Sequence, residues 1–136
     1  MRTFRYCRDP LFLTCVVTYT INRWLVKPHV AATFPREHLN DLICLPFWIP
    51  IMLFLQRRLG LRRHDRPPLA FEILIPLILW SWMFELWLPG NALGRGWCTS
   101  DPWDVACYSV GAFAAACFWR WWYEVAGSGS VAGTVS

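Results

Sequence analysis

The chain has 136 residues, a net charge of +4 and ten tryptophans; 56% of its residues are hydrophobic, 16% are charged, and its mean hydropathy is +0.32. Soluble domains carry about a quarter charged residues, and tryptophan is enriched where membranes meet water, so this composition predicts a membrane protein of one domain. The basic residues flank apolar runs and form no stripe of their own, which argues against nucleic-acid binding.

Four apolar runs predict an all-α fold, a four-helix transmembrane bundle that occupies residues 1–125. In chain order the predicted helices span about 10–26, 39–56, 69–88 and 102–123. The second run is short, since about 20 residues are needed to cross the hydrocarbon core, and Pro46 and Pro50 should bend it. Residues 27–38 are predicted to form a loop, and the tail at 126–136 is predicted to be flexible.

The placement of arginine predicts the orientation of the bundle. The first nine residues hold three arginines and the loop after the second helix holds five, whereas the other two loops hold only Lys27, Arg36 and Arg95 as basic residues. Because basic loops are enriched on the cytoplasmic side, we expect a multi-pass protein of the plasma (inner) membrane with both termini in the cytoplasm. The first run contains Arg23 and no clear cleavage site follows it, so we expect it to be retained as a helix.

This topology brings polar residues of all four helices to the outer membrane face. They are Asn22, Arg23, His38, Asn40, Asp41, Glu85, Asp101 and Asp104. Polar and ionisable residues at the ends of lipid-soluble segments are costly, so their convergence indicates a function. Asp101 has a second explanation as a helix cap, with Pro102 in the first helical position, and Asn40 and Asp41 can be explained similarly.

Glu85 is the acid that capping does not explain. It lies near the C-terminal end of the third helix, where the helix dipole disfavours a negative charge. It therefore needs a positive partner or a hydrogen-bond network, or it must carry a proton. Arg23 is the candidate partner by its predicted depth. Such a pair would either lock the first helix to the third or belong to a polar site that is open to the outer leaflet.

The fourth helix places Asp104 on a face that should pack against other helices. Asp104, Tyr108, Gly111 and Ala115 follow one another at helical spacing. Gly111 and Ala115 form a pair of small residues four apart, which lets two helices approach closely. Elsewhere, Glu72 at the start of the third helix, and Arg120 with Glu124 near the end of the fourth, are predicted to be structural.

The segment from Trp80 to Ala116, about a quarter of the chain, resembles the VanZ-like small membrane proteins of bacteria. The resemblance rests on Glu85, Gly94-Arg95, Asp104-Val105 and Gly111-Ala112. The family has an acid near the end of one helix, a Gly-Arg loop, and an Asp-hydrophobic-x-x-Asn-x-x-Gly-Ala start to the next. Tyr108 stands where the family tends to have Asn. The family's Asp/Lys/His signature on an earlier helix has no clean match here, and His38, Asn40 and Asp41 are the candidates for it. The resemblance implies a small polytopic membrane protein of a family associated with low-level glycopeptide resistance.

Three functions remain open. The first is binding of a lipid headgroup or cell-envelope component at the outer face, through Arg23, Asp41, Glu85 and Asp104 together with Asn22, His38, Asn40 and Tyr108. The second is an ion-coupled transporter or carrier that works as an oligomer, with carboxylates suited to a divalent cation such as Mg²⁺. The third is a structural or assembly subunit in which the polar cluster locks the fold.

An enzyme acting on lipids is the least favoured class. The chain has no HExxH or GxSxG motif, no Cys/His pair and no phosphate-binding loop, so no catalytic residue and no cofactor are expected. Membrane lipids are the expected partners. A second copy of the chain or another membrane protein is a further candidate.

Overall fold

The computed structural model describes residues 2–31, 34–91 and 101–125, without the side chains of residues 34–37 and 125. Across these residues the chain is all-helical, which confirms the all-α part of the predicted fold class. Four long helices follow a short N-terminal segment, residues 2–9, that contains one 3₁₀ turn at Tyr6–Arg8. The predictions for Gly94-Arg95 and for the tail at 126–136 fall outside the described residues.

The helices are labelled α1 to α4, each with the turns that continue it. Helix α1 is Pro10–Ile21, continued by Asn22–Val26 and Lys27–His29; α2 is Phe34–Arg58; α3 is Ala70–Trp82, continued by Met83–Trp87 and Leu88–Gly90; α4 is Pro102–Arg120, continued by Trp121–Val125. The predicted boundaries of the loop at 27–38 are wrong at both ends, because α1 continues to His29 and α2 already begins at Phe34. Pro35 permits this early start, since a proline in the first turn removes an N–H that has no partner within the helix.

The continuing turns of α1 and α3 show how these helices pass through a proline. The turns at Asn22–Val26 and Met83–Trp87 are π-helical, and Pro28 and Pro89 follow them two residues later. In a regular α-helix a proline ring clashes with the carbonyl group four residues before it. The wider π turn, closed by a hydrogen bond over five residues, lets each helix continue past that obstacle.

Helices α1 and α4 begin in the same way, with an aspartate followed by a proline. Asp9 Oδ1 accepts a hydrogen bond from the Phe12 N–H at 3.1 Å, and Asp101 Oδ1 accepts one from the Trp103 N–H at 3.0 Å. In each helix the proline occupies the first helical position, where its fixed backbone angle fits. The predicted capping role of Asp101 is confirmed, and the same role of Asp9 is an addition to the predictions.

The core lies along the seam between α2 and α4, the most extensive helix pair in the described fold. Side chains of α2 that recur every four residues are almost completely buried there: Leu45, Ile49 and Leu53. They belong to one apolar cluster with small and aromatic side chains of α4: Tyr108, Ala112, Ala115, Trp119 and Tyr123. The seam is therefore a conventional packed interior that runs the length of both helices.

Gly111 brings the backbones of α2 and α4 into direct contact. A methyl group added at Gly111 would lie 1.9 Å from the carbonyl oxygen of Leu42. This carbonyl lacks its usual donor four residues later, because that residue is Pro46. Both Gly111 and Ala115 are buried, so the prediction that they form a close-packing face is confirmed.

The two ends of the bundle carry different groups. The polar end holds His38, Asp41, Glu85 and Asp104, where α2 and α4 begin and α3 ends. The arginine end holds the N-terminal segment and the loop at 59–69. From His38 to Arg58, α2 rises by about 30 Å at 1.5 Å per residue, which is close to the thickness of a hydrocarbon core.

At the arginine end, Asp9 is completely buried and links three parts of the chain. Besides capping α1, its carboxylate accepts hydrogen bonds from Trp119 Nε1 at 3.0 Å and from the Tyr123 hydroxyl at 2.6 Å. Three donors therefore compensate the burial of one charge, as a buried acid requires. This network joins the start of α1 to the end of α4.

Arg62 and Glu72 form a buried ion pair nearby. Arg62 Nε lies 2.8 Å from Glu72 Oε1, and Nη2 lies 3.2 Å from Oε2. Arg62 also donates to the Tyr6 hydroxyl at 3.0 Å, and Glu72 accepts from the Leu69 N–H at 2.8 Å. Burial alone would lower the pKa of Arg62, but the hydrogen bonds with Glu72 and Tyr6 raise it. The structural role predicted for Glu72 is therefore confirmed.

Asp65 fastens the N-terminal segment to the loop at 59–69. Its carboxylate accepts a hydrogen bond from Tyr6 and two from Arg57, at 2.9 and 3.3 Å, and its carbonyl accepts one from the Phe4 N–H at 2.9 Å. The hydrogen bond from Tyr6, and then those from Arg57, hold the pKa of Asp65 below its usual range. Tyr6 itself has a positive φ of 49°, a conformation that a tyrosine keeps only where its surroundings enforce it.

Large apolar side chains cover the outside of the bundle. On α1 and α3 they include Val17, Leu25, Leu74, Ile78 and Leu86, each more than half exposed. Two helices, His38–Arg58 and Ala70–Gly90, are long and apolar enough to cross a membrane, with mean hydropathies of 1.6 and 1.5. Monomeric soluble proteins rarely expose contiguous apolar surface on this scale.

Candidate ligand-binding site

A cavity of about 400 Å³ opens at the polar end of the bundle. All four helices contribute to its wall. Its polar lining residues are Tyr19 of α1, Asn40 and Asp41 of α2, Glu85 of α3, and Asp104 and Tyr108 of α4. This polar-end cavity therefore contains three carboxylates, and no lysine or arginine is present among its described lining residues.

Of the eight predicted site residues, five line the polar-end cavity: Asn40, Asp41, Glu85, Asp104 and Tyr108. Two more contact the lining residues directly, His38 through Asp104 and Asn22 through Asn40. Arg23 is exposed and does not line the cavity, and within the described residues it forms no ion pair with Glu85. The proposed Arg23–Glu85 lock is thus not part of the described structure.

His38, Asp41 and Asp104 form a compact group at the start of α2 and α4. His38 Nδ1 lies 3.2 Å from Asp104 Oδ1 and 4.0 Å from Asp41 Oδ2. One ligand atom from each of the three residues lies within 4.8 Å of the other two. Two carboxylates at this separation repel each other, so a positive charge placed between them is favoured.

Asn22 holds the outer part of α1 against α2. Its side chain is completely buried, and its Nδ2 donates a hydrogen bond to Asn40 Oδ1 at 2.9 Å. A buried amide needs such a partner, and this one is a residue of the cavity wall. The bond therefore fixes the side-chain orientation of Asn40 toward α1.

Glu85 is compensated by the start of α4. Its Oε2 accepts a hydrogen bond from the Asp101 backbone N–H at 2.9 Å. The N-terminal end of a helix carries a partial positive charge, so the acid at the end of α3 lies beside the favourable end of another helix dipole. The unfavourable position of Glu85 at the end of α3 is evident from the sequence, but this compensation depends on the contact between two helices.

Aromatic residues form the apolar part of the cavity wall, and none of them was a predicted site residue. They are Phe47, Trp48, Trp80 and Phe84. The Trp48 and Trp80 rings lie with centroids 5.9 Å apart and planes tilted by 48°. Tyr19 also lines the cavity and was not a predicted site residue. It lies three residues before Asn22 and therefore on the same side of α1, and this spacing could have indicated it.

No family model matches the chain, and no curated protein or solved structure matches it. The chemistry of the site therefore has to be judged from its own residues. An acidic cavity with aromatic walls suits a ligand that carries a positive charge on an apolar or amphipathic body, since cations are attracted both to carboxylates and to aromatic faces.

Proposed function

We propose that the chain is a small integral membrane protein, with four membrane-spanning helices, that binds a lipid headgroup or another cell-envelope component in the polar-end cavity. The transmembrane location is supported by the exposed apolar side chains, by the two sufficiently apolar helices and by the separation of the polar and arginine ends. The arginine end then faces the cytoplasm, together with both termini. The proposal includes a relationship to the VanZ-like proteins, which is based on Glu85, Asp104 and Gly111.

The orientation has a direct test in living bacteria. Green fluorescent protein fused to the C-terminus fluoresces only in the cytoplasm, whereas alkaline phosphatase fused there is active only outside it. We expect a fluorescent, phosphatase-negative pair of fusions. The opposite pattern would place the polar-end cavity at the cytoplasmic face and remove the envelope ligand from the proposal.

The observation that best supports the binding function is a cavity to which all four helices contribute and which three carboxylates line. Asp41, Glu85 and Asp104 would together attract an amine-bearing headgroup, and Trp48 and Trp80 would contact its cationic or apolar part. We therefore expect a cationic or zwitterionic headgroup to be preferred over an anionic one.

Binding can be measured with phosphatidylethanolamine added to detergent-solubilised protein, with phosphatidylglycerol as the anionic comparator, and only the fluorescence change that Glu85→Gln abolishes is assigned to the polar-end cavity. Two of the ten tryptophans line the cavity, so binding should change the tryptophan fluorescence. We expect the Glu85→Gln and Asp104→Asn variants to lose at least tenfold in affinity, because a charge-assisted contact contributes about 1.5–3 kcal/mol. Glu124→Gln is the matched control, as it removes an acid at the opposite end of the bundle.

Thermal unfolding of the same variants separates binding from a structural or assembly role. A variant that keeps the wild-type melting temperature but no longer responds to phosphatidylethanolamine supports the binding site. If Glu85→Gln instead lowers the melting temperature and leaves the lipid response intact, the cluster is a folding lock. Equal responses of wild type and both cavity variants would remove the headgroup-binding proposal.

A divalent cation is the second candidate ligand, because His38, Asp41 and Asp104 bring one nitrogen and two carboxylate ligands together. This donor set differs from the three carboxylates considered for Mg²⁺, since imidazole favours Zn²⁺ or another transition metal over Mg²⁺. Such a site could serve an ion-coupled carrier as well as a binding protein. Calorimetric titration with Zn²⁺ and with Mg²⁺ distinguishes the two donor sets.

His38→Ala should abolish Zn²⁺ binding, whereas His29→Ala should not, because His29 is exposed on α1 and bonds to the Leu25 carbonyl. Flux measurements in proteoliposomes then decide between a carrier and a binding protein. Zn²⁺ binding that survives in His38→Ala, or no binding in the wild type, would eliminate the cation site.

A further inference from the structure

The arginine end contains a second cavity, of about 660 Å³, between the N-terminal segment and the end of α4. Its basic lining residues are Arg2, Arg5 and Arg8, and its aromatic wall includes Trp122. The volume falls within the range of about 300–1,000 Å³ that is typical of small-molecule sites. This arginine cavity is separate from the polar-end cavity and shares no lining residue with it.

The positive charge of the arginine cavity is available to a ligand. Neither Arg5 nor Arg8 forms an ion pair with any residue that the structure describes, and both are exposed. The neighbouring acid, Asp9, is buried, and three donors already occupy its carboxylate. Arg2 lies over the Trp122 ring, with its guanidinium carbon 5.6 Å from the centroid, which holds it at the cavity wall.

An apolar ridge leads out of the arginine cavity along α1. Leu13 lines the cavity and is 50% exposed, and Val17 and Ile21 follow it at intervals of four residues, at 57% and 46% exposure. Residues four apart lie on one face of a helix, so the three side chains form a continuous strip. The site thus combines a basic pocket with an apolar track that begins at its rim.

We propose that the arginine cavity binds the phosphate headgroup of an anionic phospholipid of the cytoplasmic leaflet, while an acyl chain of that lipid lies along Leu13, Val17 and Ile21. The guanidinium groups of Arg5 and Arg8 donate hydrogen bonds to the phosphate oxygens, a geometry for which arginine is suited. The apolar ridge begins at the rim of the cavity, so a lipid can contact both the arginines and the ridge, whereas free phosphate can contact the arginines alone. Basic pockets between membrane helices on the cytoplasmic side recognise anionic headgroups through the same combination. This inference rests on the membrane location proposed above.

The test uses full-length protein in nanodiscs of phosphatidylcholine, with increasing fractions of phosphatidylglycerol. We expect phosphatidylglycerol to raise the melting temperature of the wild type, and Arg5→Gln/Arg8→Gln to weaken this response at least tenfold in apparent affinity. Arg63→Gln/Arg66→Gln is the matched control: it removes the same charge from exposed residues at the same end, outside the arginine cavity. The control should respond like the wild type.

The outcomes separate this inference from the proposed function. If the protein enters nanodiscs but phosphatidylglycerol does not stabilise it, the lipid site alone is overturned. An equal loss of this stabilisation in both double variants would indicate an effect of general surface charge, and it also overturns the lipid site alone. Inorganic phosphate that reproduces the whole stabilisation in detergent overturns the lipid as occupant. Failure to enter nanodiscs overturns both proposals. Melting temperatures in pure phosphatidylcholine establish that the variants are folded.

Discussion

The substitution Gly111→Ala tests the feature that holds the polar-end residues together. The added methyl carbon would lie 1.9 Å from the Leu42 carbonyl oxygen and 2.9 Å from its carbonyl carbon. Ordinary contacts between such atoms are about 3.5 Å or longer, so α2 and α4 must separate by more than about 1 Å. The obstacle is backbone rather than a side chain that could rotate away.

The expected cost follows from overpacking of a close helix seam. Extra methyl groups in a well-packed interior cost about 1–3 kcal/mol, and a rigid backbone neighbour places Gly111→Ala at the upper end, at about 3 kcal/mol. For a chain of this size that corresponds to a fall in melting temperature of about 10 °C. Because Asp104 lies two turns before Gly111 on α4, its distance from His38 should also increase, and headgroup or cation binding should weaken.

Thermal unfolding in detergent, followed by circular dichroism, measures the effect. Gly90→Ala is the control, because a methyl group added at Gly90 meets no atom within 4 Å. We expect Gly90→Ala to stay within about 0.5 kcal/mol of the wild type. If Gly111→Ala is as stable as Gly90→Ala, the α2–α4 contact is not as close as described, and the positioning of Asp104 by this seam is wrong.

Three further predictions concern the arginine end. Glu72→Gln leaves the buried Arg62 without its counter-charge and should lower the free energy of unfolding by about 3–5 kcal/mol in chemical denaturation, while Arg62→Met/Glu72→Leu should recover most of the loss. Asp9→Ala removes a cap and leaves buried donors unpaired, whereas Asp101→Ala removes a partly exposed cap. Asp9→Ala should therefore lower the free energy of unfolding by at least about 2 kcal/mol more than Asp101→Ala. Equal losses would contradict the buried network. The pKa of Asp65 lies below its ordinary value of about 3.9, so Asp65 stabilises the fold above that pH, and this contribution is lost as the pH falls through the folded-state pKa. The melting temperature should therefore fall more steeply between pH 6 and pH 3 for the wild type than for Asp65→Asn. An equal pH dependence of the two melting temperatures would refute this.

Local patterns in the sequence predicted those features that depend on one helix. The small-residue spacing of Gly111 and Ala115, the Asp-Pro start at Asp101 and the Arg120–Glu124 pair, with a distance of 3.5 Å, are all present. Each is determined by side chains less than two turns apart, so spacing alone is sufficient. The capping role of Asp9 was available from the same Asp-Pro pattern, but it is obscured by the arginines around it.

Features that depend on two helices were not predictable in detail. Three arginines lie in the segment between α2 and α3, and nothing in their spacing indicates that Arg62 turns inward to Glu72 while Arg63 stays exposed. Glu85 was correctly identified as an acid in need of compensation. Its partner was expected to be Arg23, because the two residues were predicted to lie at the same depth. The structure instead provides the backbone N–H of Asp101. Patterns of side chains in the sequence do not indicate such a backbone partner.

The net charge of +4 would suggest an anion-binding protein if the charges were evenly distributed. The carboxylates of the polar-end cavity and the arginines of the arginine cavity instead lie at opposite ends of the bundle, about 30 Å apart along α2. In the water at each end, salt at physiological concentration screens exposed charges beyond about 8 Å. The arginines of the other end therefore do not neutralise the acids of the polar-end cavity. Among the described residues of the polar end, Arg23 and Lys27 do not line that cavity. Because screening makes each end electrostatically independent, the cation site and the anionic-headgroup site proposed above are compatible in one small fold. Removing Arg5 and Arg8 should consequently leave the response of the polar-end cavity to phosphatidylethanolamine unchanged.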